Sequence, residues 1–111
     1  MQPIEPETLA PLLRGLAGQT VYLHYEVVPA GFLRNLKVNI QEAVLRGAEP
    51  PYRFALRCQD DAWVIMEGLT HMETAATAAD GAPGPTLFLC ALESDQRLSR
   101  AIQISREPFT P

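Results

Sequence analysis

The sequence predicts an α+β, mostly β domain: a short N-terminal helix followed by about five antiparallel strands forming a curved sheet or a small, partly open barrel. Three observations lead there. Leucines recur at helical spacing near the N-terminus, in PETLAPLLRGLAG; from residue 20 onward the hydrophobic period is two; and the two-period runs are separated by Pro, Gly and Asp of the kind that turns hairpins. A chain of 111 residues has apolar surface for one core, so residues 1–111 are expected to form a single domain.

The helix is placed at about 8–17. Leu9, Leu12, Leu13 and Leu16 share a face, Gly18 stops it, and an N-cap near Thr8 leaves Pro11 in the first turn, where a missing N–H does little harm. In the first strand, about 20–28, Val21, Leu23, Tyr25 and Val27 alternate with Tyr22, His24, Glu26 and Val28. Alternation sends Leu23 and Tyr25 to the core, and His24 and Glu26 to water or a partner. After Pro29-Ala30-Gly31, a long strand at about 32–45 carries Phe32, Leu36, Val38, Ile40 and Val44 on one parity and Asn35, Lys37, Asn39 and Gln41 on the other. Its end, QEAVLRG, is also readable as helix.

YRFALRC, about 52–59, turns Tyr52, Phe54, Leu56 and Cys58 inward and Arg53, Ala55 and Arg57 outward. Asp60-Asp61 leads into its hairpin partner at about 62–72, AWVIMEGLTHME, whose Trp63, Val64, Ile65 and Met66 are apolar on both faces, as in a central strand. Gly68 marks a bulge, beyond which parity no longer says where His71 and Glu73 face. The small-residue stretch at 74–85 is expected as a mobile loop, and a last hairpin follows with strands at about 86–93 and 98–106, ended by Pro108.

Charge and composition exclude several functions. The chain is 47% hydrophobic and carries a formal charge of -4, and its nine Lys and Arg are scattered; phosphate neutralisation needs them clustered, so no nucleic acid is expected as partner. No apolar run approaches the ~20 residues that span a bilayer, and the acidic start MQPIEPETLA is unlike a signal peptide, so no membrane association is expected and the protein is placed in the cytoplasm. Cys58 and Cys90 each sit in an apolar run, where a reduced thiol packs as a small hydrophobe facing inward; neither has a second cysteine at ligand spacing, and no cofactor is expected.

The order of the runs VYLHYE, FLRNLKV, PPYRFAL, WVIMEGLTH and AIQISREPF resembles the YojF family of small bacterial proteins, over nearly the whole chain. The resemblance implies a domain of unknown function. It also implies a gene neighbour, a deacetylase of the LmbE type associated with bacillithiol synthesis, as a partner protein.

Four groups of residues carry candidate chemistry. His24-x-Glu26 and His71-x-Glu73 each pair an imidazole with a carboxylate, and on adjacent strands the four would suit zinc, iron or manganese; the plainer reading is two ordinary polar strand faces. Arg34, Asn35 and Lys37, extended by Arg53, would suit an anionic small molecule, against the plainer reading of a solvated strand face. Glu67, between Met66 and Gly68, is the one candidate for a catalytic acid, because apolar surroundings favour its protonated form. No nucleophile, phosphate-cradling glycine motif or second carboxylate accompanies it. The expected function is therefore an accessory or protein-interaction domain, self-associating as a two-fold dimer. The alternative is a small-molecule or metal-binding barrel with weak hydrolytic activity that uses His24, Glu26, Glu67 and His71.

Overall fold

A computed structural model describes residues 1–74 and 87–108. The loop expected at 74–85 lies, apart from Thr74, outside the described residues. In chain order the elements are β1 (Gln2–Pro3), α1 (Pro6–Leu16), β2 (Thr20–Val27), β3 (Gly31–Arg46), β4 (Tyr52–Cys58), a single 3-10 turn (Gln59–Asp61), β5 (Trp63–Leu69), β6 (His71–Thr74), β7 (Leu87–Leu92) and β8 (Leu98–Ser105). Among the described residues there are thus eight strands where about five were expected. They form one antiparallel sheet in the order β1-β6-β7-β8-β2-β3-β4-β5, curled into a half-barrel.

The helix starts at Pro6, not near Thr8. Proline at the first helical position presets the backbone angle and gives up an N–H that has no partner there. Glu5 is the N-cap residue without a side-chain cap, and Thr8 instead donates its hydroxyl to the Glu5 carboxylate at 3.0 Å. Pro11 lies inside the helix on its exposed side. Leu9, Leu13 and Leu16 are buried, whereas Leu12 is 37% exposed. Gly18, at φ +86°, ends the helix and donates to Ile40 O at 2.7 Å, while Ile40 N donates back to Gln19 O at 2.9 Å. This bond pair ties the helix end to the middle of β3.

β3 explains how one sheet curls. Its first half pairs with β2 (Thr20↔Asn39 through Val27↔Gly31) and its second half with β4 (Ile40↔Cys58 through Arg46↔Arg53), with a register shift just after Ile40. QEAVLR, residues 41–46, is strand, held by β4 on one side. Leu23, Ile104, Leu87, Ile102, Leu89, Met72 and, from the other half, Ile40, Leu56, Phe54 and Met66 meet inside the curl and form the core with the helix leucines.

The segment expected as one central strand is two strands. β5 and β6 break at Thr70, and β5 is the edge of the sheet, not its centre. Gly68, at φ +78°, sits in a one-residue bulge: Phe54 pairs with Met66 but Tyr52 pairs with Leu69. The bulge turns the chain end of β5 toward β6, and the curl brings the β5 edge across the concave face. There Tyr25 Oη donates to Ile65 O at 3.0 Å and Arg100 Nη1 to Glu67 O at 2.9 Å. Two edge carbonyls are thus satisfied by side chains where a strand would otherwise pair. Among the described residues, no helix is long and apolar enough to cross a membrane.

Candidate functional site

His24 pairs with Gln103, Gln103 with Phe88, and Phe88 with Glu73; Glu26 likewise reaches His71 through Ala101 and Cys90. Directly opposed residues share a face, so His24, Glu26, His71 and Glu73 all lie on the face of the sheet turned away from the core. Two strands separate β2 from β6, however, and three spacings amount to about 14 Å. The neighbouring strands that a shared four-ligand centre requires are not neighbours. No group of three or more His, Cys, Asp or Glu among the described residues is placed to hold a metal.

His24 does not face water. It is only 3% exposed, because β3 bulges opposite it: Leu23 pairs with Leu36 but Tyr25 with Leu33, and Asn35 takes a positive φ of 58° between them. That bulge frees the Asn35 N–H from the ladder, and the N–H donates to His24 Nδ1 at 3.2 Å. An Nδ1 that accepts carries no proton, so the neutral ring carries it on Nε2, 2.8 Å from Ser105 Oγ. Ser105 Oγ–H in turn donates to Glu107 O at 2.9 Å. A histidine that activates a serine must present a lone pair to the hydroxyl; here it presents a proton. Burial, with the Arg34 guanidinium second, holds the imidazole below the ordinary histidine range and favours this neutral form. Beside it lies a recess of about 60 Å³, walled in part by Glu26, Arg34, Phe88 and Gln103.

The basic candidates do not converge. Arg34 pairs with Glu26 at 3.5 Å and lies over the Phe32 ring at 4.9 Å. Asn35 forms the bulge, and Lys37 stands exposed opposite Tyr22. Arg53 is across from Arg46 at the other end of β3, where its Nε donates to Glu67 Oε1 at 2.8 Å and Nη2 binds the same oxygen. Arg57 is shared between Glu42 and Asp61. Glu67 has a side chain 59% exposed, so the apolar enclosure expected of it is missing: the β5 edge faces outward and Arg53 neutralises its charge. Cys58 is in the core, whereas Cys90 is buried on the opposite face with Met1 Sδ 3.1 Å from its sulfur. Burial pushes both thiols up, Cys90 to about 11.

One apolar surface feature is not singled out by alternation. Where the half-barrel opens, a groove of about 320 Å³ runs between the concave side of the β2–β3 hairpin and the β5 edge. Leu23, Tyr25, Leu33 and Leu36 form one wall, and Trp63, Val64 and Ile65 the other. Leu33, Leu36, Ile65 and Trp63 are 41%, 41%, 46% and 51% exposed, and Phe32 at the hairpin tip is 72% exposed. Scattered exposed apolar residues are ordinary, but a contiguous apolar patch that lines a groove marks a binding surface. Its signal in the sequence is VVPAGFL, residues 27–33: an uninterrupted apolar run through a hairpin turn, where polar residues are the rule.

The model of the family described as "Protein of unknown function (DUF1806)" matches residues 27–109. No curated protein matches the chain. The fold is similar to the crystal structure of the Bacillus subtilis YojF protein, with a TM-score of 0.79 and 27% sequence identity over 99% of this chain and 97% of that one.

Proposed function

This chain belongs to the DUF1806 family of unknown function, and from that premise we propose that it is an accessory protein-interaction domain whose working surface is the apolar groove between the β2–β3 hairpin and β5. The observation that carries this is the exposure of Trp63, Ile65, Leu33 and Leu36 around one groove. At about 25 cal/mol per Å² of apolar surface removed from water, covering such a patch is a substantial driving force for association. Tyr25 and Arg100 hold two carbonyls of the β5 edge, so the surface works through side-chain packing and not through strand addition at Ile65 and Glu67.

The family resemblance suggests a deacetylase of the LmbE type as one such partner. A reducing, cytoplasmic setting agrees with two buried free cysteines. Photo-crosslinking in the source cell tests the docking surface. A photoreactive side chain in place of Leu36 is expected to form a covalent adduct with a discrete protein, and the same group in place of Arg46 is not. Equal adducts from both positions, or none from position 36, would refute the proposal.

A further inference from the structure

We infer that the groove is pH-sensitive: the neutral ring of His24 holds the bulge of β3 that brings Leu33 and Leu36 to one wall, and protonation of that ring releases the bulge and takes the wall apart. The consequence for binding rests on the groove being a docking surface; the switch itself rests on the strand register.

Residues three apart on a regular strand point to opposite faces, yet Leu33 and Leu36 both line the groove. The bulge is the reason. Leu36 pairs with Leu23 and Leu33 with Tyr25, so Arg34 and Asn35 together stand opposite His24, and one extra residue is taken up between the two leucines. Without it, a β3 that kept Leu36 opposite Leu23 would turn Leu33 outward and bring the Arg34 side chain into the apolar wall.

The His24 ring holds the extra residue in place. Asn35 adopts φ 58°, a left-handed conformation uncommon outside glycine, and its N–H donates to His24 Nδ1 at 3.2 Å. The other ring nitrogen is turned to Ser105 Oγ at 2.8 Å. The ring cannot take a proton at Nδ1 and keep the first bond: an imidazolium is a donor at both nitrogens, and its Nδ1–H would be set against the N–H of Asn35.

The surroundings act in the same direction. The charged groups on this face of the sheet around His24 are Arg34 and Lys37 of β3 and Glu26 of β2, while β8 and β7 present the uncharged Ser105, Gln103 and Phe88. The carboxylate of this set, Glu26, is paired with Arg34 at 3.5 Å. An imidazolium would compete with Arg34 for it, and Arg34 is itself one of the two bulged residues. Burial, and then the Arg34 guanidinium, hold the ring below the ordinary histidine range, so the wall is intact near neutral pH and comes apart on acidification below pH 6.5.

NMR spectroscopy of the full chain from pH 7.5 to 4.5 tests the switch. The His24 ring shift reports protonation, the side-chain NOE between the opposed Leu33 and Tyr25 reports the wall, and the NOE between the opposed Phe54 and Met66 reports the fold. The Leu33–Tyr25 NOE is expected to be lost with the midpoint of His24 protonation while the Phe54–Met66 NOE stays. His24→Gln, whose amide oxygen can accept the Asn35 N–H and does not titrate, is expected to keep both down to pH 4.5. A Leu33–Tyr25 NOE that survives in the protonated wild type, a ring that takes up no proton in this range, or loss of both NOEs together would each overturn the inference. So would loss of the Leu33–Tyr25 NOE in folded His24→Gln at the pH where wild type loses it; if that variant does not fold, the wild-type titration decides. The docking surface is judged separately by the position-36 adduct: a working switch beside a groove that yields no adduct removes the docking and keeps the switch, whereas an adduct with a wall that ignores His24 does the reverse.

Discussion

His24 Nε2 stands 2.8 Å from Ser105 Oγ, a contact that fastens the end of β8 to the β2–β3 bulge. Removing the Ser105 hydroxyl takes away this buried contact together with the bond from Ser105 Oγ to Glu107 O. Ser105→Ala is therefore expected to destabilise the fold by about 1–3 kcal/mol. Thr20→Ala, which removes an exposed hydroxyl accepting from Asn39, should stay within about 0.5 kcal/mol. Urea denaturation of the two variants beside wild type checks the contrast.

The same histidine sets a pH dependence. Its folded pKa lies below the ordinary value of 6.5, so as pH falls the unfolded chain takes up the proton first. Stability from this group is fully present above pH 6.5 and declines as pH drops below it, until the folded imidazole protonates too. Between pH 7.5 and 5.5 the wild-type denaturation midpoint is expected to fall more than that of His24→Gln. Parallel profiles would contradict the assignment.

What the sequence could not reveal about His24 has a physical cause. Alternation correctly separates the Leu23 and Tyr25 face from the His24 and Glu26 face, because it depends only on the strand period. It does not say whether the second face is wet. That was decided by Asn35, whose left-handed backbone makes a bulge in the neighbouring strand and presents an N–H to the ring. The position of β5 was hidden for a similar reason. Apolar residues on both faces of Trp63–Met66 fit a central strand and equally fit an edge strand beside an apolar groove, and only the closure of the curl distinguishes them. The inward row Tyr52, Phe54, Leu56 and Cys58 was legible, since one face of β4 meets the core without interruption.

Gly68 and Gly15 should respond oppositely to alanine. At Gly68 the backbone has φ +78°, and an added Cβ would come within 3.1 Å of Arg100 Nη1, so Gly68→Ala is expected to cost about 1–2 kcal/mol. At Gly15 a Cβ meets nothing within 4 Å on a helix, and Gly15→Ala is expected to stabilise by about 0.5–1 kcal/mol. Thermal or urea unfolding reads both signs.

Both thiols are expected to resist modification in the folded protein. They are buried, and burial raises their pKa, so little thiolate is present near neutral pH. Ellman's reagent at pH 8 should label neither within minutes, and both promptly in denaturant. Fast native labelling of Cys58 would show the core to be open.

Trp63, the single tryptophan, stands in the wall of the groove, half exposed, and reports directly on its occupancy. Trp63→Glu, made in the chain that carries the photoreactive group in place of Leu36, tests whether the groove is where the molecule docks. The expected result is loss of the adduct with an unchanged circular dichroism spectrum. An adduct of unchanged yield in a folded Trp63→Glu chain would place the contact elsewhere and contradict the account.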